Sequence, residues 1–276
     1  MANAPTKPTS PVKKESASSG MFATLTIPIC IVVAILIFMF ILGQPSHFAD
    51  GDTANGTPND FFGRIYRGGN LVPVIMSYLL MVIVFSIERF VVIGKASGTG
   101  NVDAFVRKVQ VALNSGNIDA ANQECDKQKG SVANVIKSGL KKYREMEADP
   151  NLTVDQKTLA IQKDIEEATA LEMPMLEQNL TIIATLVSIG TLSGLLGTVF
   201  GMIKAFGELA AAGATNQTAL SASISEALVN TALGISTSAL SIIMYNIFTS
   251  KIDNLTYAID ETGFSIVQTF AASHRK

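Results

Sequence analysis

The sequence predicts an all-α integral membrane protein with four transmembrane helices and long helices extending into a helical cytoplasmic domain. Three observations predict it. Only 16% of the 276 residues are charged and 48% are hydrophobic, with a mean hydropathy of +0.34, whereas a soluble domain carries about 25% charged residues. The apolar residues gather into four uncharged runs, 21–42, 71–87, 180–203 and 227–250. Each is close to the roughly 20 residues that a helix needs to cross the hydrocarbon layer. Finally, most lysines and arginines fall on one side of a four-span arrangement, the side expected to be cytoplasmic.

In chain order, residues 1–20 are rich in Pro, Ser, Lys and Ala and read as a disordered cytoplasmic tail. The first transmembrane helix is 21–42. Its 22 apolar residues exceed a signal-peptide core, and GQPSHFAD behind it makes a poor cleavage site, so the helix is read as retained. Cleavage or retention alike leaves the second span entering from outside. Residues 43–70 form an irregular periplasmic loop, ending in FFGRIYRG as an interfacial collar. The second span is 71–94, where the apolar run resumes after Glu88 and Arg89.

Residues 95–178 read as a helical cytoplasmic domain. Phe105, Val109 and Leu113 recur at helical spacing as one apolar stripe, broken by Ser115, Gly116 and Asn117. The pattern resumes over 118–126 and 131–146, on either side of Gly130. Thr153 opens a long helix with Gln156 as its capping-box partner. No strong stop follows, so that helix is expected to run continuously into the third span, 179–206, with a kink at Pro174. A second periplasmic loop, 207–223, leads to the fourth span, 224–250, and a cytoplasmic tail, 251–276.

Orientation follows from the basic residues. Lys7, Lys13 and Lys14, the many cations of 95–178, and Lys251, Arg275 and Lys276 share one side; the other holds Arg64, Arg67 and the boundary residue Lys204. Both termini are therefore expected to be cytoplasmic.

Enzyme chemistry finds no foothold. There is no phosphate-binding loop, nucleophile elbow, HExxH or CxxC. Cys30 and Cys125 lie too far apart to suggest a disulfide framework or metal site, and His47 and His274 read as surface residues. No cofactor or metal is expected. A net charge of −2 offers no field for nucleic acid.

The third and fourth spans carry the informative pattern. Gly190, Gly194, Gly197 and Gly201 recur at intervals of three and four, the spacing that lets helix backbones approach closely in lipid. Ser188, Thr191 and Thr198 lie on an adjoining face; in the fourth span Thr231, Gly234, Ser238 and Ser241 share one. Hydroxyls on such faces serve either helix packing or an ion path, and spacing alone leaves both open. Glu226, five residues before Thr231, tilts the balance, because an ionisable residue at membrane depth is a functional candidate.

The run GLLGTVFGMIKAF (Gly194 to Phe206) and the run SEALVNTALGISTSALSIIMYNIF (Ser225 to Phe248) resemble the two membrane motifs of the ExbB/TolQ/MotA family of proton-channel proteins, on its ExbB side. The run SGNIDAANQECDKQKGSVANVIKSGL (Ser115 to Leu140) is similar to that family's cytoplasmic loop, and the likeness covers about residues 71–250. It implies three family spans plus an extra N-terminal one. It also implies a pentameric inner-membrane channel around an ExbD-like single-span partner, using the proton gradient to work on a TonB-like protein. The family's two membrane threonines match Thr198 and Thr231, and its membrane glutamate matches Glu226. Where the family usually has prolines this chain has Thr191 and Leu240; with Ser236, Thr237 and Ser238 they make the path richer in hydroxyls, which leaves H⁺ or Na⁺ open. A TolQ-like role in envelope maintenance is the alternative within the family, and a passive membrane scaffold the alternative outside it.

Between Leu180 and Ile203 no side chain is ionisable, and between Ala227 and Ser250 only Tyr245 is. A proton relay through hydrocarbon typically uses Asp, Glu or His. The midplane carrier is therefore expected from another polypeptide, and the resemblance points to an Asp of the ExbD-like partner.

Overall fold

The computed structural model describes residues 16–53, 56–212 and 217–274; the tail read as disordered lies mostly outside them. Among the described residues the chain is predominantly helical, with short loops between the helices. The one β feature is an isolated bridge between Phe48 and Pro58.

Helix α1 (Ser16–Leu36) ends in a π-helical segment, Ile37–Leu42. Much of its surface is exposed and apolar, as befits a helix bathed in lipid, while Cys30 and Ala34 are buried. It packs along α3 (Val72–Ser97), with the rings of Phe22 and Phe85 meeting edge to face at 6.2 Å. The segment between them is ordered by local chemistry. Asp60 caps α2 (Phe61–Tyr66) by accepting from the Gly63 amide at 2.9 Å, and His47 holds the other carboxylate oxygen at 2.6 Å. Those bonds keep the Asp60 carboxyl below its ordinary range. Tyr66 stacks on Phe38 at 4.7 Å, which fixes the loop to the end of the first span.

At the opposite end of α3, Gly98 stops the helix with φ +77°. Four helices then build a water-facing bundle: α4 (Val102–Asn114), α5 (Ile118–Gln128), α6 (Gly130–Ala148) and α7 (Val154–Glu177). The stripe Phe105, Val109 and Leu113 is buried in its core. Asn117 caps α5, and Thr153 and Gln156 form the reciprocal capping box of α7. Burial pushes the Cys125 thiol up to about 12.

α8 (Leu180–Ala212) and α9 (Gln217–His274) form a hairpin that is the most extensive helix pair of the molecule. Two sequence expectations change here. The helix from Thr153 does not run continuously into the third span: α7 ends at Glu177, and Asn179, at φ +61°, breaks the chain before α8. Asparagine tolerates that left-handed conformation better than other non-glycine residues. Pro174 stays inside α7. Secondly, the segment read as a tail from 251 continues α9 to His274. At about 1.5 Å per residue, 58 helical residues are far longer than a bilayer core is thick. The surplus packs against the bundle, burying Ile252, Leu255, Ile259, Ile266 and Phe270.

Among the described residues, four stretches are long and apolar enough to cross a membrane: Met21–Leu42, Gly69–Asn114, Val154–Ala210 and Ala219–His274. The chain is a multi-pass membrane protein.

Candidate functional site

The seam between α8 and α9 is made of the small and hydroxylated residues that the two spans place on facing sides. Gly190, Gly194, Gly197 and Gly201 are all buried in it, as is Gly234. A Cβ on Gly234 would stand 2.6 Å from the Gly190 carbonyl oxygen and 2.7 Å from Gly194 Cα; one on Gly201 would stand 2.6 Å from Ala227 Cβ. The backbones touch because nothing larger than hydrogen intervenes.

Hydroxyls lace the same seam. Ser241 Oγ donates to the Ile183 carbonyl at 2.6 Å, and Ser238 Oγ donates to the Val187 carbonyl at 2.6 Å. Thr191 Oγ1 donates to Ser238 Oγ at 2.8 Å. Thr231 Oγ1 lies 3.1 Å from the Gly194 carbonyl and 3.2 Å from the Ala227 carbonyl of its own helix. Bonds of this kind between membrane helices are worth about 0.6 kcal/mol each on average. Thr198 is placed differently: its half-buried hydroxyl donates at 2.6 Å to Leu195, within its own turn. No hydrogen bond joins Thr198 to Thr231 among the described residues. Ser188 is exposed on the outer face of α8.

Glu226 sits where α9 leaves its first turns, with its side chain 24% exposed and paired at 2.8 Å to Lys204 of α8. Gly69, at φ +77°, leaves room for it: a Cβ there would lie 2.2 Å from the carboxylate. One turn further along α9 is Asn230, 2% exposed. Its amide nitrogen donates to the Gly68 carbonyl at 2.8 Å and to the Glu226 carbonyl at 3.1 Å, while Oδ1 has no partner among the described residues. These residues line a cavity of about 450 Å³, with Arg67 and Asn70 on its loop side and Phe200 on α8. At the other end of the hairpin a second cavity, about 350 Å³, is lined by Glu177, Thr181, Tyr245, Thr249 and Asp253. No group of His, Cys, Asp and Glu suited to a metal occurs among the described residues.

The sequence reading named Glu226 but left its cation, Lys204, as a boundary residue, and it gave Asn230 no role. The signal was present. Lys204 is the first charge after the apolar run of the third span and Glu226 the last before that of the fourth. A tight hairpin brings such residues together.

The fold and this seam define a class: a multi-pass membrane protein in which a hydroxyl-lined helix hairpin continues into a helical bundle beyond the spans. Residues 127–261, just under half of the chain, match the model of the MotA/TolQ/ExbB proton channel family, and over that stretch the chain resembles the family. It is similar to the ExbB-like 3 biopolymer transport protein of Synechocystis sp., 33% identical over 88 residues, which are 31% of this chain and 42% of that one. It is similar to the Tol-Pal system protein TolQ of Pseudomonas aeruginosa, 27% identical over 124 residues, 45% of this chain and 54% of that one. The biopolymer transport protein ExbB of Xanthomonas campestris is 25% identical over 115 residues, 42% of this chain and 46% of that one. The chain thus spans about half the length of the curated relatives it matches.

Proposed function

We propose that the chain is an ExbB-like subunit of an inner-membrane motor. Together with an ExbD-like single-span partner it uses the proton motive force to energise TonB-dependent outer-membrane transport. Thr198, Thr231 and Glu226 belong to the ion path, with Ser188, Thr191, Gly234, Ser238 and Ser241 as further lining. The glycines at 190, 194, 197 and 201 set the packing that keeps the seam narrow. The subunit is a homo-oligomer, a pentamer by the family's pattern, with both termini in the cytoplasm.

The observation that carries this reading is the seam itself. It is polar, close-packed and bounded by Glu226 at one end, yet the spans that form it hold no ionisable side chain at mid-depth, Tyr245 lying at the opposite end. A seam of that kind needs a second chain to complete a proton relay. Several copies are then required to surround the partner's carboxylate. A TolQ-like role in envelope maintenance is the second reading. It is favoured by the TolQ relative, whose matched stretch of 124 residues is longer than the 88 and 115 of the other two.

Purification of the full chain from native membranes tests the proposal. A co-purifying protein with one apolar span bearing an Asp is the expected result. Recovery of the chain in stoichiometric complex with no such protein contradicts it. Which energised protein comes along, TonB-like or Tol-Pal-like, separates the two readings.

A further inference from the structure

Lys204 is the one lysine among the residues lining the outer cavity, and its ammonium lies against Glu226 at 2.8 Å. Its side chain is 55% exposed, so it reaches the carboxylate across open space and is free to leave it. The carboxylate has been given its place by Gly69, which tolerates no Cβ there. Deeper along α9 stands the acceptor Asn230 Oδ1, buried and without a partner among the described residues. The amide's two donors are committed to Gly68 and Glu226, so the orientation of that oxygen is fixed. A negative group at a mouth, followed one turn inward by an orphaned acceptor, is an arrangement that attracts cations. In this structure a tethered cation already holds its first position. Arg67 lines the same cavity and adds positive charge to it, while donating to the Gly56 carbonyl at 2.5 Å.

We infer that Lys204 is a tethered counter-cation that gates entry to the ion path: it occupies on Glu226 the position that an entering cation would take. With Lys204 seated, the vestibule repels small cations. When the side chain swings away, Glu226 and then Asn230 Oδ1 become available in sequence. An ion pair this exposed contributes little to stability, so its opening is thermally accessible. The gate rests on the reading of the α8–α9 seam as an ion path and adds to it the residue that regulates access.

The test is gradient-driven proton flux in membrane vesicles from cells whose own copy of the gene carries the change, with the partner proteins present at native levels. Lys204→Met removes both the repulsion and the competitor. It should raise the flux about threefold or more at low ionic strength, in line with the effect of charged clefts on ion capture. The gain should shrink at high salt, as the Debye length falls from about 10 Å at 0.1 M to about 3 Å at 1 M. Lys204→Arg should return the flux toward the wild-type value, which a purely steric role would not require. Exchanging the charges, Lys204→Glu with Glu226→Lys, keeps a pair and guards against a variant that fails to fold. As an independent reading of the pair, a zero-length carbodiimide should condense Lys204 with Glu226 in the wild-type chain, with loss of water. Equal flux in wild type and Lys204→Met, or no cross-link, overturns the gate and leaves the ion-path reading standing. Wild-type vesicles that show no gradient-driven flux overturn the ion-path reading, and the gate with it.

Discussion

Arg89 of α3 donates from Nη1 to the Leu176 carbonyl at 3.2 Å, satisfying a carbonyl at the end of α7 that the break at Asn179 leaves without a helical donor. The same nitrogen lies 3.1 Å from the Met175 carbonyl, and Nε and Nη2 hold both oxygens of Glu88. Asn179 donates to that carboxylate too, at 3.4 Å. The guanidinium is 1% exposed. The joint between the helical bundle and the third span is thus built on one largely buried ion pair, and carbonyls at a helix end require such partners.

Replacing Arg89 by Met should therefore be severe. It strands a partly buried carboxylate and two carbonyls, and breaking a buried pair from one side costs about 3–5 kcal/mol. Thermal unfolding in detergent should show the loss. Arg89→Lys should recover only part, because one ammonium cannot reproduce the fork. Unfolding of Arg89→Met at the wild-type temperature would show that water or lipid replaces the guanidinium.

The glycine seam gives a second expectation. Gly234→Ala places its methyl against Gly190 and Gly194, whose backbone atoms have nowhere to retreat within a close-packed pair. Overpacking of this kind costs about 1–3 kcal/mol. Gly207→Ala, with nothing within 4 Å of its Cβ, is the control and should be neutral. Equal stability of the two variants in detergent would mean that α8 and α9 part easily.

Thr198→Val and Thr231→Val keep shape and remove the hydroxyl. Thr231 forfeits its bond to Gly194, about 0.6 kcal/mol, so assembly should survive in both. Gradient-dependent work should nonetheless fall about tenfold, which corresponds to about 1.4 kcal/mol and is the scale of one lost hydrogen bond. Full activity with either valine would reduce that threonine to a packing residue.

Orientation can be read with cysteine labelling because the native thiols are hidden. Cys30 is buried in the first span, and Cys125, 2% exposed, has its thiol pushed up to about 12 by burial. The thiolate is the reactive form, so both should stay unlabelled near neutral pH. Asp52→Cys should be labelled in intact cells by an impermeant reagent, and Ser10→Cys should not; the opposite pattern inverts the topology. Cys125 also sets a pH dependence. Its ordinary value is 9.0, so above that pH the unfolded chain releases a proton that the folded chain keeps until about 12. Stability is intact below pH 9 and falls as pH rises between those values. Cys125→Ala should flatten that slope in unfolding measurements.

Much of this molecule is legible in its residues. The four apolar runs, the capping box at Thr153 and Gln156, and the stripe at Phe105, Val109 and Leu113 are local patterns that the fold keeps. The break at Asn179 is not legible. Nothing there is a strong breaker, and the chain turns because Arg89, some ninety residues upstream, donates to the last carbonyls of α7 while Glu88 accepts from Asn179. The continuation of α9 could have been read, since Ile252, Leu255, Ile259, Ile266 and Phe270 keep a helical spacing. The fading of hydropathy after Ser250 hid it, because the helix exchanges a lipid environment for the bundle core at that point. Within the seam, the glycines and hydroxyls were visible as a face. Which hydroxyls are spent on α8 carbonyls depends on the register of the two helices, which no single span encodes.

On the proposed function, this chain supplies the walls of an ion path and its partner the charge carrier. Proton flux into liposomes under an imposed pH gradient and potential tests it most directly, comparing the purified chain alone with the chain reconstituted together with its co-purifying partner. The chain alone should leak no faster than empty vesicles, and the complex should conduct in response to the gradient. Rapid, saturable flux through the chain by itself would contradict it.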